Sequence, residues 1–372
     1  MTKQSSFRIG KTIYRIAGRD DDTTLRTILR DTVMPSWVIL SAEHEPSYFR
    51  SAELFGQRET LIAERDYVDS VPIGMCSWTA MQLYIDEKPT QAGYLGELRV
   101  LPEFRTRPGI VRNGFKAVRS LAPDCPRWFT SIAVDNIKAR RLLEAGLNDM
   151  PHYHPLGEMV TLALPASLRQ PLLDLQPCTQ ADIPKLVDFY NHQSQGFQYA
   201  PVLSESWIHQ LDGSNGLKLQ DFYLLRHNNT IKACFALWDQ RCIKQTVVRG
   251  YRFPLDYMRC GYNVLAYLSG RLTLPPVGQI IDHLFIAFLA ISPELNVLQF
   301  RRLINSALTL TAQRRINCAM LGLAANNPLL KGLWRYRAQT YRTCIEAVTW
   351  NNQEVFGIPH GGRIIQPEIA LL

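Results

Sequence analysis

The order of secondary-structure elements that this sequence predicts occurs twice, and that repetition constrains the fold more than any other feature. In the first half, strand patterns alternate with amphipathic stretches such as Ile110–Leu121. A short segment at 165–171, with a proline at each end, interrupts the pattern. The order then begins again with a strand-like Leu173–Pro177. Because the halves share element order but little sequence, we interpret them as an internal duplication.

The fold class expected from this order is α/β, with a mixed, mostly antiparallel sheet and flanking helices in each half. The chain has 372 residues, enough for two domains of ordinary size. We place the first domain at residues 1–168 and the second at residues 169–372. The second contains a proline- and tyrosine-containing insertion at Phe253–Val277.

Charge is distributed unevenly between the halves. The first has 21 Lys and Arg against 20 Asp and Glu, whereas the second has 20 against 13, within a net charge of +8. A basic half attracts nucleic acid, an acidic partner or a membrane surface, or it merely keeps the protein soluble. The sequence contains neither a run of five basic residues nor a basic amphipathic helix, so we expect no nucleic-acid partner.

Cysteine spacing and hydropathy bear on metal sites and on location. None of the eight cysteines forms a C-x-x-C pair, so no zinc ribbon is indicated and we expect no metal. The segment Met1–Gly10 lacks the apolar core of a signal peptide. The apolar stretch Ile280–Ile291 is too short to span a bilayer. We therefore expect a cytoplasmic protein without a membrane span.

The segment Gly96–Arg112, GELRVLPEFRTRPGIVR, is the most informative part of the chain. A strand ends there, a basic loop containing glycine follows, and a helix begins. The free N–H groups of a helix N-terminus carry partial positive charge, so such a loop binds anions. Arg105, Arg107 and Arg112 add formal charge for a phosphorylated ligand, and Gly109 allows close approach of the backbone. The alternative is a solvated basic loop without a ligand.

This loop is similar to the pyrophosphate-binding loop of the GNAT superfamily of acyl-CoA-dependent N-acyltransferases, whose pattern is Gln/Arg-x-x-Gly-x-Gly/Ala. Arg105 fits the first position. The first glycine is replaced by Pro108 or displaced to Gly109, and the last small residue becomes Ile110 or Val111.

A second resemblance follows about 30 residues later. The segment Asn136–Leu147 is similar to the family's Asn-x-x-Ala-x-x-Leu-Tyr-Glu-x-x-Gly-Phe helix, which flanks the pantetheine arm. Leu143 stands where that family has a tyrosine, often the acid toward the leaving thiolate.

The resemblance implies acetyl-CoA, or another acyl-CoA, as co-substrate. It implies transfer of the acyl group, in first place acetyl, by direct attack of a primary amine on the acyl thioester. That amine belongs to a small molecule or to a protein. The cofactor-binding residues that it implies are Val100, Leu101, Arg105, Thr106, Arg107, Gly109, Ile110, Val111, Arg112, Asn136 and Ala139.

Three residues are candidates for catalysis. The amine must lose a proton before it attacks, so a base is needed, and Glu97 on the fourth strand is our first choice. Its alternative is a solvated or salt-bridged strand glutamate. Tyr94 is a candidate acid or pocket-lining residue, or else a core aromatic. Side chains alternate along a strand, so Tyr94 and Glu97 face opposite sides unless a bulge intervenes. Tyr153 is a third candidate acid or acceptor-site residue, or else part of a surface loop.

The second half resembles the same fold less closely. Its corresponding loop, Ser292–Gln299, contains no basic residue and no glycine, so a phosphate finds no counter-charge there. We interpret this half as a degenerate GNAT-like domain. The runner-up function is a non-catalytic CoA-sensing or protein-interaction module, and a third is aminoacyl or long-chain acyl transfer. The oligomeric state, monomer or dimer, stays open.

Overall fold

A computed structural model describes residues 6–51, 55–66, 71–122, 127–168, 173–336, 338–350, 355–356 and 362–372. Part of the connecting segment at 165–171 therefore lies outside the described residues.

The strands follow the predicted order with three additions, namely β1, β3 and a separate β12. The first half contributes β1 (Ser6–Ile9), β2 (Thr12–Ile16), β3 (Val38–Glu43), β4 (Gln57–Arg65), β5 (Val71–Ile85), β6 (Lys88–Val100), β7 (Trp128–Ala133) and β8 (His152–Pro165). The second half contributes β9 (Leu175–Pro177), β10 (Phe222–His227), β11 (Thr230–Trp238), β12 (Gln245–Tyr251), β13 (His283–Ile291), β14 (Cys318–Ala324) and β15 (Gln339–Thr349).

The helices lie between these strands and cover the sheet. They are α1 (Asp22–Asp31), α2 (Pro108–Leu121), α3 (Ile137–Leu143), α4 (Ile183–Ser194), α5 (Glu205–His209), α6 (Leu255–Ser269) and α7 (Val297–Gln313). The predicted helical spacing in α1 buries Leu25, Ile28 and Leu29. In α2 the same spacing buries Phe115 and Val118 against the sheet.

Thirteen of the strands in the described ranges form one sheet, and each half ends on a strand that lies in the other half. The order across the sheet is β1-β2-β4-β5-β6-β7-β15-β8-β14-β13-β11-β10-β9. The last strand of the second half, β15, pairs antiparallel with both β7 and β8, and β8 pairs with β14. The proposed boundary between residues 168 and 169 separates the repeats in sequence, whereas β8 and β15 cross it in space.

Both halves contain an opening between their parallel strands. β6 and β7 pair only from Gly93 to Leu95, and β13 and β14 pair only from His283 to Phe285, although all four strands continue. The strands therefore separate. The opening between residues 96–100 and 131–133 is the first splay, and the opening between residues 286–291 and 321–324 is the second splay.

A two-stranded ribbon joins the halves beside the large sheet. β3 of the first half pairs antiparallel with β12 of the second, from Glu43 opposite Gln245 to Val38 opposite Tyr251. The side chain of Gln245 accepts a hydrogen bond from Glu45 N at 2.8 Å and donates one to Glu45 O at 2.9 Å. The ribbon therefore fixes one end of β3 against the second half.

Candidate active site

A bulge in the fourth strand of the first half positions Glu97. Glu97 and Leu98 of β6 together stand opposite the single residue Cys76 of β5, and Glu97 has a φ of 51°. A bulge adds one residue to the bulged strand, which breaks the alternation of side chains along it. The condition attached to the sequence prediction is thus met, and Tyr94 and Glu97 need not face opposite sides of the sheet.

The carboxylate of Glu97 lies among three donors. Tyr48 donates its hydroxyl hydrogen to Oε2 at 2.7 Å, Arg58 forms an ion pair with the same oxygen, and His44 Nε2 lies 3.0 Å from Oε1. Arg58 also donates to the Tyr48 hydroxyl at 2.9 Å. The side chain of His44 is completely buried. We call these four residues, His44, Tyr48, Arg58 and Glu97, the Glu97 cluster.

Burial and charge act in opposite directions within this cluster. Burial alone would raise the pKa of Glu97, but the charge of Arg58 and the contact with His44 hold it well below its usual value. Burial lowers the pKa of His44, and the charge of Glu97 only partly offsets that effect. At neutral pH the cluster therefore combines an ionised carboxylate with a neutral imidazole.

A lysine from the second half approaches the same place. Lys244 precedes β12 and donates from Nζ to the main-chain oxygen of Leu372 at 2.6 Å. Burial lowers its pKa, as do the charges of Arg58 and Arg99, whereas Glu97 raises it. The Glu97 cluster therefore lies at the junction between the halves.

The mouth of the first splay is held by a hydrogen bond between its two strands. The hydroxyl of Tyr94 on β6 lies 2.7 Å from Ser131 Oγ on β7. The ring of Tyr94 also packs against Phe129, with ring centroids 5.2 Å apart. Tyr94 thus lines the first splay next to Glu97, and burial raises the pKa of its phenol.

The loop that follows β6 forms an anion-binding shape. Residues 102–104 make one tight helical turn, Arg107 is extended, and α2 begins at Pro108, so the segment is not one continuous helix. The side chain of Arg107 provides no cap for α2. Among the described residues, the amides of Thr106 and Gly109 make no main-chain hydrogen bond. They therefore remain available to a ligand.

The charged side chains of this loop are exposed, as a phosphate site requires. They belong to Arg105, Arg107 and Arg112, and the neighbouring Thr106 is exposed as well. Arg105 donates from Nε to Val100 O at 2.9 Å, which draws the loop toward the end of β6. A Cβ added to Gly109 would meet no atom within 4 Å. The space above Gly109 is thus open to a ligand.

The corresponding helix start in the second half is closed by its own side chains. Asn296 Oδ1 accepts a hydrogen bond from Gln299 N at 3.0 Å, and Gln299 Oε1 accepts one from Asn296 N at 2.9 Å. This capping box satisfies two of the amides at the helix start. Glu294 adds a negative charge paired with Lys232.

The second splay is also occupied by the chain itself. Phe288 N donates to Glu368 Oε2 at 2.7 Å, and Ala324 N donates to Gln366 Oε1 at 2.9 Å. Ile369 packs so closely that a Cβ on Gly322 would lie 2.3 Å from it. The segment 365–372 therefore runs between β13 and β14 and fills the gap.

Comparisons with known proteins give a clear answer on the fold. No protein-family model matches the sequence, and no curated protein matches it. Solved structures do match. N-myristoyltransferase from Saccharomyces cerevisiae with bound myristoyl-CoA aligns over 97% of this chain and 84% of its own, with a TM-score of 0.65 and 8% identity. A GCN5-related N-acetyltransferase from Anabaena variabilis aligns over 90% of this chain and 72% of its own, with a TM-score of 0.50 and 13% identity.

The chain has a tandem GNAT fold.

The predicted fold class is thereby confirmed, including the mostly antiparallel sheet and the flanking helices. At sequence identities of 8% and 13%, the structural similarity establishes the fold alone. The chemistry must be inferred from the residues of this chain.

Within the tandem GNAT fold, the structure places the remaining implied cofactor residues around the first splay. Val100 ends the strand β6 and Leu101 follows it, with Leu101 N donating to Ile73 O at 2.8 Å. Ile110 and Val111 lie in the first turn of α2, where a cavity of about 30 Å³ separates them from β6. These four residues therefore form the apolar wall beside the basic loop.

The second motif of the resemblance begins the helix α3. Asn136 caps α3 by accepting a hydrogen bond from Ala139 N at 3.3 Å. Asn136 and Ala139 thus have a structural role in this chain, on the β7 side of the first splay. The second half repeats the arrangement after β14, where Asn327 accepts a hydrogen bond from Leu329 N at 3.0 Å.

Tyr153 lies apart from the Glu97 cluster. It is half-buried on β8, and its ring packs edge-on against Phe115 of α2 at 6.4 Å. Tyr48 belongs to a different set of packed residues, which includes Leu25 and Ile28 of α1. The structure therefore brings Tyr94 and Glu97 together and does not add Tyr153 to them.

Sequence reasoning missed four residues that surround Glu97, namely His44, Tyr48, Arg58 and Lys244. They lie 39 to 147 positions from Glu97, on elements without a recognisable motif. His44 follows β3, a strand that the sequence did not predict. The sequence feature that indicates such partners is Glu97 itself, because a charged residue within an apolar strand needs a buried partner.

Proposed function

We propose that this protein is an N-acyltransferase that moves an acyl group from acyl-CoA to a primary amine, with the cofactor bound by the first half. The pyrophosphate lies against the amides of Thr106 and Gly109, near the guanidinium groups of Arg105, Arg107 and Arg112. The pantetheine arm enters the first splay between β6 and β7.

One contrast carries this proposal. The two halves share a fold, yet the helix start of the first half is uncapped and basic, whereas that of the second is capped by Asn296 and acidic at Glu294. In addition, the segment 365–372 fills the second splay. Among the described residues, an uncapped helix start with positive counter-charge for an anionic cofactor therefore occurs at the loop of the first half and not at the corresponding loop of the second.

The acid–base function belongs to Glu97 and His44 together. Glu97 alone is a weak proton acceptor because its pKa is held low, and an effective base has a pKa near the working pH. His44 Nε2 lies 3.0 Å from its carboxylate. The carboxylate accepts the proton that the amine loses as its nitrogen bonds to the thioester carbon, and the Nε2–H of the neutral His44 stays hydrogen-bonded to Oε1 and orients the carboxyl. Tyr94 lines the splay next to the reacting carbon.

The acyl group is acetyl in our first proposal. It is the group that the resemblance of the basic loop implies in first place. A long acyl chain is the second candidate, because the aligned N-myristoyltransferase has myristoyl-CoA bound and matches nearly the whole chain. The acceptor is a primary amine on a small molecule or on a protein.

The test measures thiol release from acetyl-CoA and from myristoyl-CoA, each with a panel of amines and amino-terminal peptides. We expect amine-dependent release of CoA thiol, together with mass-spectrometric detection of the acylated amine. A tight complex with acyl-CoA that releases no thiol with any acceptor would instead favour the CoA-sensing module. A preference for myristoyl-CoA over acetyl-CoA would select the second acyl candidate.

A further inference from the structure

The insertion of the second half contains a helix whose apolar side faces solvent. The sequence of Phe253–Val277 indicates an insertion without an assigned helix, but Leu255–Ser269 is helical as α6. Its outer stripe consists of large apolar residues at helical spacing that are 61–80% exposed: Tyr257, Met258, Val264, Leu265 and Leu268. A surface helix normally turns such a stripe toward the core.

The inner face of α6 is polar and is already in use. Asn263 donates to Leu274 O at 3.0 Å and accepts from Leu274 N at 2.7 Å. Tyr262 donates to Leu272 O at 3.4 Å, and Arg259 lies over the ring of Tyr251. These contacts hold the helix with its polar side inward, so the exposure of the outer stripe is set by the fold.

Further apolar and aromatic side chains extend the outer stripe. Phe253 is 77% exposed, Tyr267 81%, Val277 60% and Trp37 63%. Trp37 adjoins the start of α6, because its carbonyl accepts a hydrogen bond from Arg252 N at 3.0 Å. Exposed apolar patches of this extent mark interaction surfaces. Tyrosine and tryptophan are the aromatic residues favoured at the boundary between lipid and water.

Charge at the ends of the helix distinguishes between possible occupants. Residues 252–271 contain three arginines, Arg252 and Arg271 included, and one aspartate, and both Arg252 and Arg271 are exposed. A second copy of this chain would bring the same positive charges against them. An anionic lipid headgroup layer complements them, and a helix of this kind lies in the plane of such a layer.

We propose that α6 docks the protein on the surface of an anionic phospholipid bilayer, with the outer stripe in the interface and Arg252 and Arg271 at the headgroups. In the described part of the chain no helix is long and apolar enough to cross a bilayer, so the helix lies on the surface. The ribbon β3–β12 runs from Trp37 and Arg252 to His44 and Lys244. It places the Glu97 cluster about 20 Å from the docked helix.

The test is flotation of the full chain with mixed phosphatidylcholine–phosphatidylglycerol vesicles and with pure phosphatidylcholine vesicles. We expect binding to the mixed vesicles that weakens as salt is added. The double variant Leu265→Glu/Leu268→Glu should lower the partition coefficient on the order of tenfold or more, because it places two charges in the apolar stripe. Arg252→Glu/Arg271→Glu should remove the preference for the anionic vesicles.

Leu298→Glu serves as the matched control, because Leu298 is a leucine on another helix, α7, and is 56% exposed. It should bind like the parent chain, and all variants should show the parent's melting temperature since they alter exposed positions. Absence of vesicle binding would overturn the proposal, as would equal binding by the Leu265/Leu268 variant. A dimer in sedimentation analysis that this variant abolishes, without vesicle binding, would assign the stripe to self-association. These measurements do not depend on acyl transfer.

Discussion

Glu97 and Phe288 occupy the same place in the two repeats. Each is the first of two residues that stand opposite one residue of the neighbouring strand, and their φ angles are 51° and 50°. A non-glycine residue with positive φ is strained, so its occurrence at matching positions indicates a bulge that belongs to the shared fold. In the second repeat the amide of Phe288 binds the carboxylate of Glu368. In the first repeat we expect the matching amide to face the acyl thioester.

Charge reversal in the basic loop should weaken cofactor binding. We expect Arg105→Glu/Arg107→Glu to lower the affinity for CoA by about tenfold or more, because each change replaces an attraction to the pyrophosphate by a repulsion. Isothermal titration calorimetry with CoA measures this effect. Arg119→Glu, at the far end of the same helix, is the control and should bind CoA like the parent chain. If both variants bind CoA with equal affinity, the cofactor does not bind at this loop.

A side chain at Gly109 should obstruct the ligand without disturbing the protein. Because a Cβ there would meet no atom within 4 Å, Gly109→Val should leave the melting temperature nearly unchanged. It should nevertheless weaken CoA binding, since the branched side chain stands where the pyrophosphate meets the amides. Gly196 also has open space around its Cβ position, so Gly196→Val separates a general effect from a local one. Undiminished CoA binding by Gly109→Val would contradict this placement.

Neutralising Glu97 should affect both stability and turnover. Glu97→Gln leaves the buried Arg58 without its counter-charge, and we expect a loss of about 2–4 kcal/mol in the free energy of unfolding at pH 7. The pKa of Glu97 is depressed in the folded state, so this loss should shrink as the pH falls below the ordinary range of a glutamate. Urea unfolding across pH provides the measurement.

The matched control for Glu97 is Glu64→Gln. Glu64 is as buried as Glu97, but its partner Arg15 keeps a second ion pair with Asp21. We expect this variant to lose less than about 1 kcal/mol. If Glu97→Gln is no less stable than Glu64→Gln, the cluster is not the ionised arrangement described above. A fall in kcat with unchanged CoA affinity would support the acid–base role.

The buried carboxyl of Glu346 should make stability depend on pH in the opposite sense. It lies on β15 without a donor among the described residues, and burial together with the charge of Glu144 raises its pKa from 4.5 to about 7. Between these values the folded state holds a proton that the unfolded state releases, so stability is lost as the pH rises. Glu346→Gln should remove up to about 3 kcal/mol of this loss.

Unfolding free energies at several pH values between 4.5 and 8 test this prediction. The difference between Glu346→Gln and the parent chain should grow in favour of the variant as the pH rises through that window. Glu144→Gln should shift the transition to lower pH, because it removes the repelling charge while leaving the buried carboxyl in place. Parallel stability curves for parent and Glu346→Gln would show that the carboxyl does not titrate in this range.

Local sequence patterns sufficed for most elements, including the strand, loop and helix of the segment Gly96–Arg112. The apolar spacing of α1 and α2 reports burial on one face, and a basic glycine loop before a helix has few other uses. The partners of Glu97 were not accessible in this way, because contacts over tens of residues depend on how strands are ordered in the sheet. The helix α6 was missed for a related reason, since its apolar stripe does not serve the core and its prolines suggested a loop.

The position of β15 could not be predicted either, because a strand pattern indicates pairing but not with which neighbour. β15 follows β14 in sequence, yet it lies between β7 and β8, where Glu346 stands opposite Thr130. Helix, strand and loop were thus predictable from local chemistry, whereas the exchange between repeats was not.

The exchange of β8 and β15 has a consequence for synthesis on the ribosome. The edge of β7 stays without its neighbour until residues 343–348 have emerged from the ribosome. Until then the nascent amino-terminal repeat exposes an unpaired strand edge, which is prone to association with other chains. Cutting the gene at the repeat boundary would make that transient state permanent, so the two repeats are expected to reach their native form only as one polypeptide.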